Sequence, residues 1–125
     1  YIIPKEMKAI ADHLKKQGVI VSEIESRKEY EGEVFEISKF EKSQRQFEGH
    51  NMAMVEGEFK ESTKMANEGD FLVDMAQPLT NLIFYMLEPQ SDDGLVTWNF
   101  FDEYFEKNGV NEKNVIYPVF KYYED

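Results

Sequence analysis

Three carboxylates lie close together in the sequence, Glu88, Asp92 and Asp93. Such a cluster could bind calcium, which prefers oxygen ligands on a flexible loop, although the spacing does not match an EF-hand. Asp92-Asp93-Gly94 also has the composition of a tight turn, in which aspartate bonds its own backbone and glycine adopts a positive φ. We favour the turn, and the three carboxylates remain weak calcium candidates.

The same carboxylates raise a catalytic hypothesis, a small carboxylate-based hydrolase centred on Glu88, Asp92 and Asp93, if two of them faced each other. The histidines offer less, because His13 and His50 belong to neither an H-E-x-x-H nor an H-x-x-E pattern and the chain has no cysteine. The sequence also lacks a G-x-S-x-G elbow and both glycine-rich phosphate loops. We therefore predict no catalytic residue, no cofactor and, apart from the calcium candidates, no metal ligand.

An aromatic segment, residues 98–105, follows the carboxylates and has two interpretations. It could be the stacking platform of a stand-alone ligand-binding module for a sugar or a peptide. Large aromatic side chains contribute most of the buried area in a small domain, and Trp98, Phe101 and Phe105 have helical spacing, so we favour the core. The candidates for binding or docking are Asp92, Asp93, Trp98, Asn99 and Asp102.

The first half of the chain predicts a strand, a helix and further strands. Pro4 suits a first helical turn, and Gly18 lies where the cap of the following amphipathic helix is expected. The β-branched residues 19–21 predict a strand, so the opening strand–helix–strand unit predicts a parallel crossover. Residues 33–40 and 47–59 predict two more strands, separated by a polar turn.

The second half contains the most apolar segment of the chain, residues 78–87, which predicts a helix. Phe84 and Tyr85 fall outside its main apolar face, so we expect this helix to be covered on several sides. Residues 67–70 predict a turn. The final strand signal is interrupted by Pro118, which is typical of a sheet edge.

These elements predict an α+β fold, in which a mixed β-sheet carries two main helices packed on it. A β-sandwich with peripheral helices is the alternative. The length of 125 residues fits one domain with a real core, so we expect residues 1–125 to form a single domain.

The chain is strongly acidic, with 25 acidic and 14 basic side chains and a formal net charge of -11. Binding to nucleic acid by charge requires a basic face, so we predict no nucleic-acid partner. No apolar run is long enough to span a bilayer, and we predict no membrane insertion. Neither Lys nor Arg occurs between Lys64 and Lys107, where nine acidic residues lie. A solvated acidic face is the simplest interpretation; a cation site and a patch that docks on a basic partner are alternatives.

One long stretch carries motifs that belong together: Gln77-Pro78-Leu79, Leu87-Glu88-Pro89, Ser91-Asp92-Asp93-Gly94-Leu95 and Trp98-Asn99-Phe100-Phe101-Asp102. It resembles the region near the C-terminus of bacterial zinc carboxypeptidase-like proteins of the carboxypeptidase A type. Four earlier segments of this chain resemble the same family region more weakly: Tyr1-Ile2-Ile3-Pro4, the helix that ends at Gly18, Glu48-Gly49-His50 and Gly69-Asp70-Phe71. The resemblance then covers almost the whole chain.

The resemblance implies an accessory domain rather than the peptidase itself. The family's zinc ligands come from an H-x-x-E motif and a distant histidine in the catalytic domain, and this chain has no such motif. No catalytic residue is therefore carried over, the chain alone is not expected to be an enzyme, and zinc is expected only in the catalytic domain. We expect the C-terminal accessory domain of a longer, exported protein (periplasmic, cell-surface or extracellular), itself a metallocarboxypeptidase. The domain would pack on its own catalytic domain or help to present peptide substrate.

Overall fold

The computed structural model describes residues 1–47, 50–91 and 94–123, and for residues 44–47 and 50 it describes the backbone alone. The elements in these ranges are, in chain order, β1 (Ile2–Ile3), a 3-10 helix (Lys5–Met7), α1 (Lys8–Lys16), β2 (Ser22–Glu23), β3 (Lys28–Phe47), β4 (His50–Ala66), β5 (Phe71–Leu72), α2 (Thr80–Leu87), α3 (Asp102–Lys107), β6 (Val115–Ile116) and β7 (Lys121–Tyr122). This combination of helices and strands confirms the predicted α+β class.

The described strands form two antiparallel sheets. The first has the order β1-β5-β2, with Ile3 and Glu23 both opposite Phe71. Since β1 and β2 are each antiparallel to β5, they run parallel to one another, and β5 lies between them. The second sheet has the order β4-β3-β6, and β7 also pairs with β3. The polar turn predicted between residues 40 and 47 is wrong, because β3 continues to Phe47.

Helix α1 ends in a glycine cap, as its sequence predicts. The backbone nitrogens of Gly18 and Val19 donate to the carbonyls of Lys15 and Leu14, and Gly18 has a φ of 92°. Glycine adopts this left-handed conformation without strain, so the position of Gly18 determines where the helix ends. The buried face of α1 consists of Ile10, Ala11 and Leu14.

The turn at residues 67–70 is held by the buried carboxylate of Asp70. Its two oxygens accept hydrogen bonds from the backbone nitrogens of Lys5, at 3.0 Å, and Asn67, at 2.9 Å. Gly69 occupies the left-handed region with a φ of 92°. The predicted turn is confirmed, and Asp70 also ties it to the start of the 3-10 helix.

The last segment pairs twice with β3, on either side of Pro118. Between the pairs Glu36–Ile116 and Glu33–Lys121, β3 advances by three residues and the last segment by five. Pro118 lies within this longer stretch, and its nitrogen cannot donate to a sheet. The predicted interruption at Pro118 is therefore confirmed.

The chain forms two compact units, of which the first comprises residues 1–34, residues 60–83 and the described residues from 118 onward. Ile2 and Phe120 exchange two backbone hydrogen bonds, of 2.8 and 2.9 Å. The buried cluster of this unit contains Ile2, Ile24, Ala66 and Phe120, and the partly buried residues packed against it are Tyr30, Val34, Leu72 and Tyr122.

The second unit comprises residues 35–59 and 84–117. Its core contains packed aromatic rings. The Phe105 ring lies 5.2 Å from that of Phe40 and 6.1 Å from that of Phe101, measured between centroids. Other buried residues of this unit include Phe35, Ile37, Ala53, Val55, Leu87, Leu95, Val96 and Tyr117.

Candidate functional site

The chain turns back after α2, in the segment whose motifs carry the family resemblance. The backbone nitrogen of Leu95 donates to the carbonyl of Met86 at 2.9 Å and holds the returning chain against the helix end. A Cβ on Gly94 would lie 2.7 Å from the carbonyl oxygen of Tyr85. A larger residue at Gly94 would therefore push the returning chain away from α2.

Asn99 fastens the returning segment to β4. It is the one non-glycine residue of the described chain with a positive φ, 75°, in a region that asparagine tolerates better than most residues. Its side-chain nitrogen donates to the carbonyl of Asn51 and to Oδ2 of Asp102, both at 2.9 Å. The backbone nitrogen of Ala53 adds a 3.1 Å hydrogen bond to the carbonyl of Thr97. Asn99, a docking candidate by sequence, thus orders the backbone here.

Asp102, another docking candidate, is half-buried among polar partners. Its Oδ2 lies 3.2 Å from Nζ of Lys42, which also donates to Glu106 at 2.9 Å. The hydrogen bonds to Glu106 and Asp102 raise the pKa of Lys42. Because the Lys42 side chain is exposed, these ion pairs add little to stability.

Replacing Asn99 by alanine is expected to lower the free energy of unfolding by about 2 kcal/mol, measured by urea denaturation. The change removes two hydrogen bonds and leaves alanine at a positive φ. Part of the cost is offset because Oδ1 of Asn99, which is buried and has no hydrogen-bond partner among the described residues, is removed too.

Asn99→Gly is the matched control, because it removes the same bonds and keeps the left-handed conformation accessible. It should be less destabilising than Asn99→Ala. If neither variant differed in stability from the unaltered chain, this account of Asn99 would be wrong.

The aromatic segment 98–105 divides between core and surface. Phe101 and Phe105 are buried, whereas Trp98 is half-buried and Phe100 is 44% exposed. The core prediction is therefore confirmed for Phe101 and Phe105. Within this segment, the aromatic surface that remains for a stacking platform comes from Phe100 and from the half-buried Trp98 and Tyr104.

The carboxylate cluster can be described at Glu88, which is half-buried. Asp92 and Asp93 lie outside the described residues, so the turn, the calcium site and the paired carboxylates stay predictions. His13 is half-buried on α1, and the side chain of His50 is also outside the description. Within the described ranges, no group of three His, Asp or Glu side chains could hold a metal ion.

A second set of carboxylates, which the sequence did not predict, belongs to β3 and β4. Glu36, Glu56 and Glu58 line a groove of about 410 Å³. Glu36 alternates along β3 with the buried Phe35 and Ile37, so the strand period of two places it on the opposite face. Glu36 is half-buried and accepts a 3.1 Å hydrogen bond from the side-chain nitrogen of Asn114, whereas Glu56 and Glu58 are exposed.

An aromatic groove of about 380 Å³ lies beside Glu88. Phe84 and Tyr85 of α2 are 52% and 48% exposed there, although the sequence predicted that this helix would be covered on several sides. The sequence indicated the contribution of α2 to this groove, because the helix is apolar on every face. The contribution of Phe59 could not be predicted from local pattern, because Phe59 belongs to the distant strand β4. The described residues that line this aromatic groove are Phe59, Phe84, Tyr85, Glu88, Pro89, Gln90 and Ser91.

Comparison with known proteins finds no matching family model, no matching curated protein and no matching solved structure. The similarity to zinc carboxypeptidase-like proteins therefore rests on the motif residues named above, and it stays a prediction. Along the ranges that the structure describes, every helix is too short or too polar to cross a membrane.

Proposed function

We propose that this chain is a non-catalytic accessory domain of a zinc carboxypeptidase-like protein, and that it packs on the catalytic domain of its parent. The way in which the motif segment 77–102 uses its polar groups carries this proposal. The side-chain nitrogen of Gln77 donates to the carbonyls of Ile20 and Asp74, and its side-chain oxygen accepts from the backbone nitrogen of Ile20. The side-chain nitrogen of Asn99 likewise donates to a backbone carbonyl, that of Asn51. Side chains that hold backbone in place are not directed at a substrate, which suits an accessory role.

Two properties of the surface support the same proposal. The half-exposed Phe84 and Tyr85 leave apolar area that a neighbouring domain could cover. The acidic charge of the chain suits a basic docking surface. Export, zinc in the parent's catalytic domain and help with peptide substrate presentation follow from the resemblance and belong to the proposal.

The purified chain is expected neither to bind zinc tightly nor to release C-terminal residues from peptides, because its sequence lacks the H-x-x-E ligands. Calorimetric titration should show no equimolar zinc binding. A ligand that binds the native state raises the melting temperature, so the melting temperature of this chain should stay unchanged when zinc is added. An active carboxypeptidase assayed in parallel verifies the peptide substrate. Turnover by the chain, or tight equimolar binding of zinc, would contradict the proposal.

The gene provides the second part of this test. We expect the reading frame that leads into Tyr1 to encode a domain with an H-x-x-E motif. A gene that encodes this chain by itself would exclude the accessory role.

A further inference from the structure

Helix α2 has apolar residues on all sides but is covered on only some of them. Residues 80–87 contain no charged side chain, and Ile83, Met86 and Leu87 are buried. A helix that is apolar all round is expected to be buried all round. The half-exposed Phe84 and Tyr85 therefore mark a face of α2 that another surface is suited to cover.

One wall of the aromatic groove on this face is packed against the protein core. The Phe59 ring packs edge-on against the buried Phe35, with centroids 4.9 Å apart and an angle of 60° between the ring planes. Because Gly94 has no side chain, the returning chain lies close to the carbonyl of Tyr85 near the end of α2. A groove whose walls are already packed loses little conformational entropy when a partner fills it.

The charge around the aromatic groove selects among partners. Glu88 is the one charged side chain among the described residues that line it. The unit that contains it has twelve acidic and five basic side chains, a formal charge of -7. A basic partner is attracted by this field. A second copy of the chain, with a net charge of -11, is repelled.

We infer that the aromatic groove is the docking site for a protein surface that carries large apolar side chains beside Lys or Arg. In the inferred complex the apolar side chains would contact Phe59, Phe84 and Tyr85, and the basic group would lie near the carboxylate of Glu88, which also lines the groove. Large aromatic anchors at the centre of an interface and charges at its rim are the usual division of roles. The inference rests on the proposed function for the source of that surface, the catalytic domain of the same polypeptide.

Three short peptides test this inference by NMR titration of the isotopically labelled chain. The first contains leucine, tryptophan and arginine, the second has glutamate in place of arginine, and the third has serine in place of leucine and tryptophan. The first should shift the signals of Phe84, Tyr85 and Glu88. The other two should bind at least about tenfold more weakly.

Variants of the chain make the result specific to the aromatic groove. Tyr85→Ser should reduce binding of the arginine peptide at least about tenfold, and Glu88→Lys should reverse the preference between the arginine and glutamate peptides. Phe100→Ser is the matched control, because Phe100 is an equally exposed aromatic residue that does not line the groove, and it should leave binding unchanged.

Several outcomes would overturn the inference. One is the absence of shifts at about 1 mM arginine peptide, the weak end of measurable affinity, and another is equal binding of the arginine and glutamate peptides. A third is a dimer in sedimentation that Tyr85→Ser abolishes, since the occupant would then be a second copy of the chain. If the peptides bind as expected and the gene encodes no H-x-x-E domain, the groove stands and the proposed function fails. If the peptides do not bind and the gene does encode an H-x-x-E domain, the proposed function is retained and the docking inference fails.

Discussion

Replacing Phe101 by alanine is expected to lower the free energy of unfolding by about 3–5 kcal/mol, the usual cost of truncating a buried phenylalanine. Phe101 is 1% exposed, and its ring lies 6.1 Å from that of Phe105 and 5.1 Å from that of Tyr117. These neighbours can collapse only in part into the space that the ring leaves. Urea denaturation, followed by the fluorescence of the single tryptophan, Trp98, measures the loss.

The adjacent Phe100 provides the matched control, because it is the same residue type and 44% exposed. Phe100→Ala should change the free energy of unfolding by no more than about 0.5 kcal/mol. If Phe101→Ala were as mild as Phe100→Ala, residues 98–105 would not be core, and a stacking platform would again be the better interpretation of the segment.

Asp70→Ala is expected to lower the free energy of unfolding at neutral pH by about 2–4 kcal/mol. The change removes the carboxylate that accepts from the backbone nitrogens of Lys5 and Asn67, and both donors lie in a partly buried region. Buried donors without an acceptor lose the hydrogen bonds that they make with water in the unfolded chain. Urea denaturation of the variant tests the prediction directly.

Two further variants separate the hydrogen bonds of Asp70 from a general effect of charge. Asp70→Asn keeps one acceptor oxygen and should lose roughly half as much stability as Asp70→Ala. Glu68→Ala removes an exposed acid from the same turn and should change stability by no more than about 0.5 kcal/mol. Equal effects of Glu68→Ala and Asp70→Ala would show that the hydrogen bonds of Asp70 are not what holds the turn.

Features that depend on the chemistry of one residue could be predicted from the sequence. Gly18 ends α1 because the left-handed conformation at this point suits glycine. Pro118 interrupts the last strand because its nitrogen has no hydrogen to donate. The turn at residues 67–70 follows from the same kind of local rule.

Features that depend on distant partners could not be predicted in this way. β3 reaches from Lys28 to Phe47, well beyond the predicted 33–40, because pairing with β4 satisfies the backbone of polar residues that would otherwise favour a turn. The aromatic groove has the same origin. Phe84 and Tyr85 were visible as residues outside the main apolar face, but the approach of Phe59 from β4 is a tertiary contact.

Local pattern could not assign roles to the candidate residues of the motif segment, and their part in binding or docking stays a prediction. Asn99 and Asp102 are polar side chains that a sequence alone offers equally to a ligand, a partner or the backbone. In the structure, the Asn99 side chain donates a hydrogen bond to the carbonyl of Asn51. Asp102 accepts a hydrogen bond from Asn99 and forms an ion pair with Lys42. Such a choice depends on which backbone lies opposite, and that information is nonlocal.

The pairing of Ile2 with Phe120 has a consequence for how the chain is made. Their two backbone hydrogen bonds join residues from nearly opposite ends of the sequence, and folds dominated by such distant pairings form slowly. During synthesis, the cluster of Ile2, Ile24, Ala66 and Phe120 is complete only after Phe120 has left the ribosome. Until that moment the nascent chain exposes apolar residues that are buried in the folded protein. Binding by chaperones and aggregation are therefore most favoured during this period.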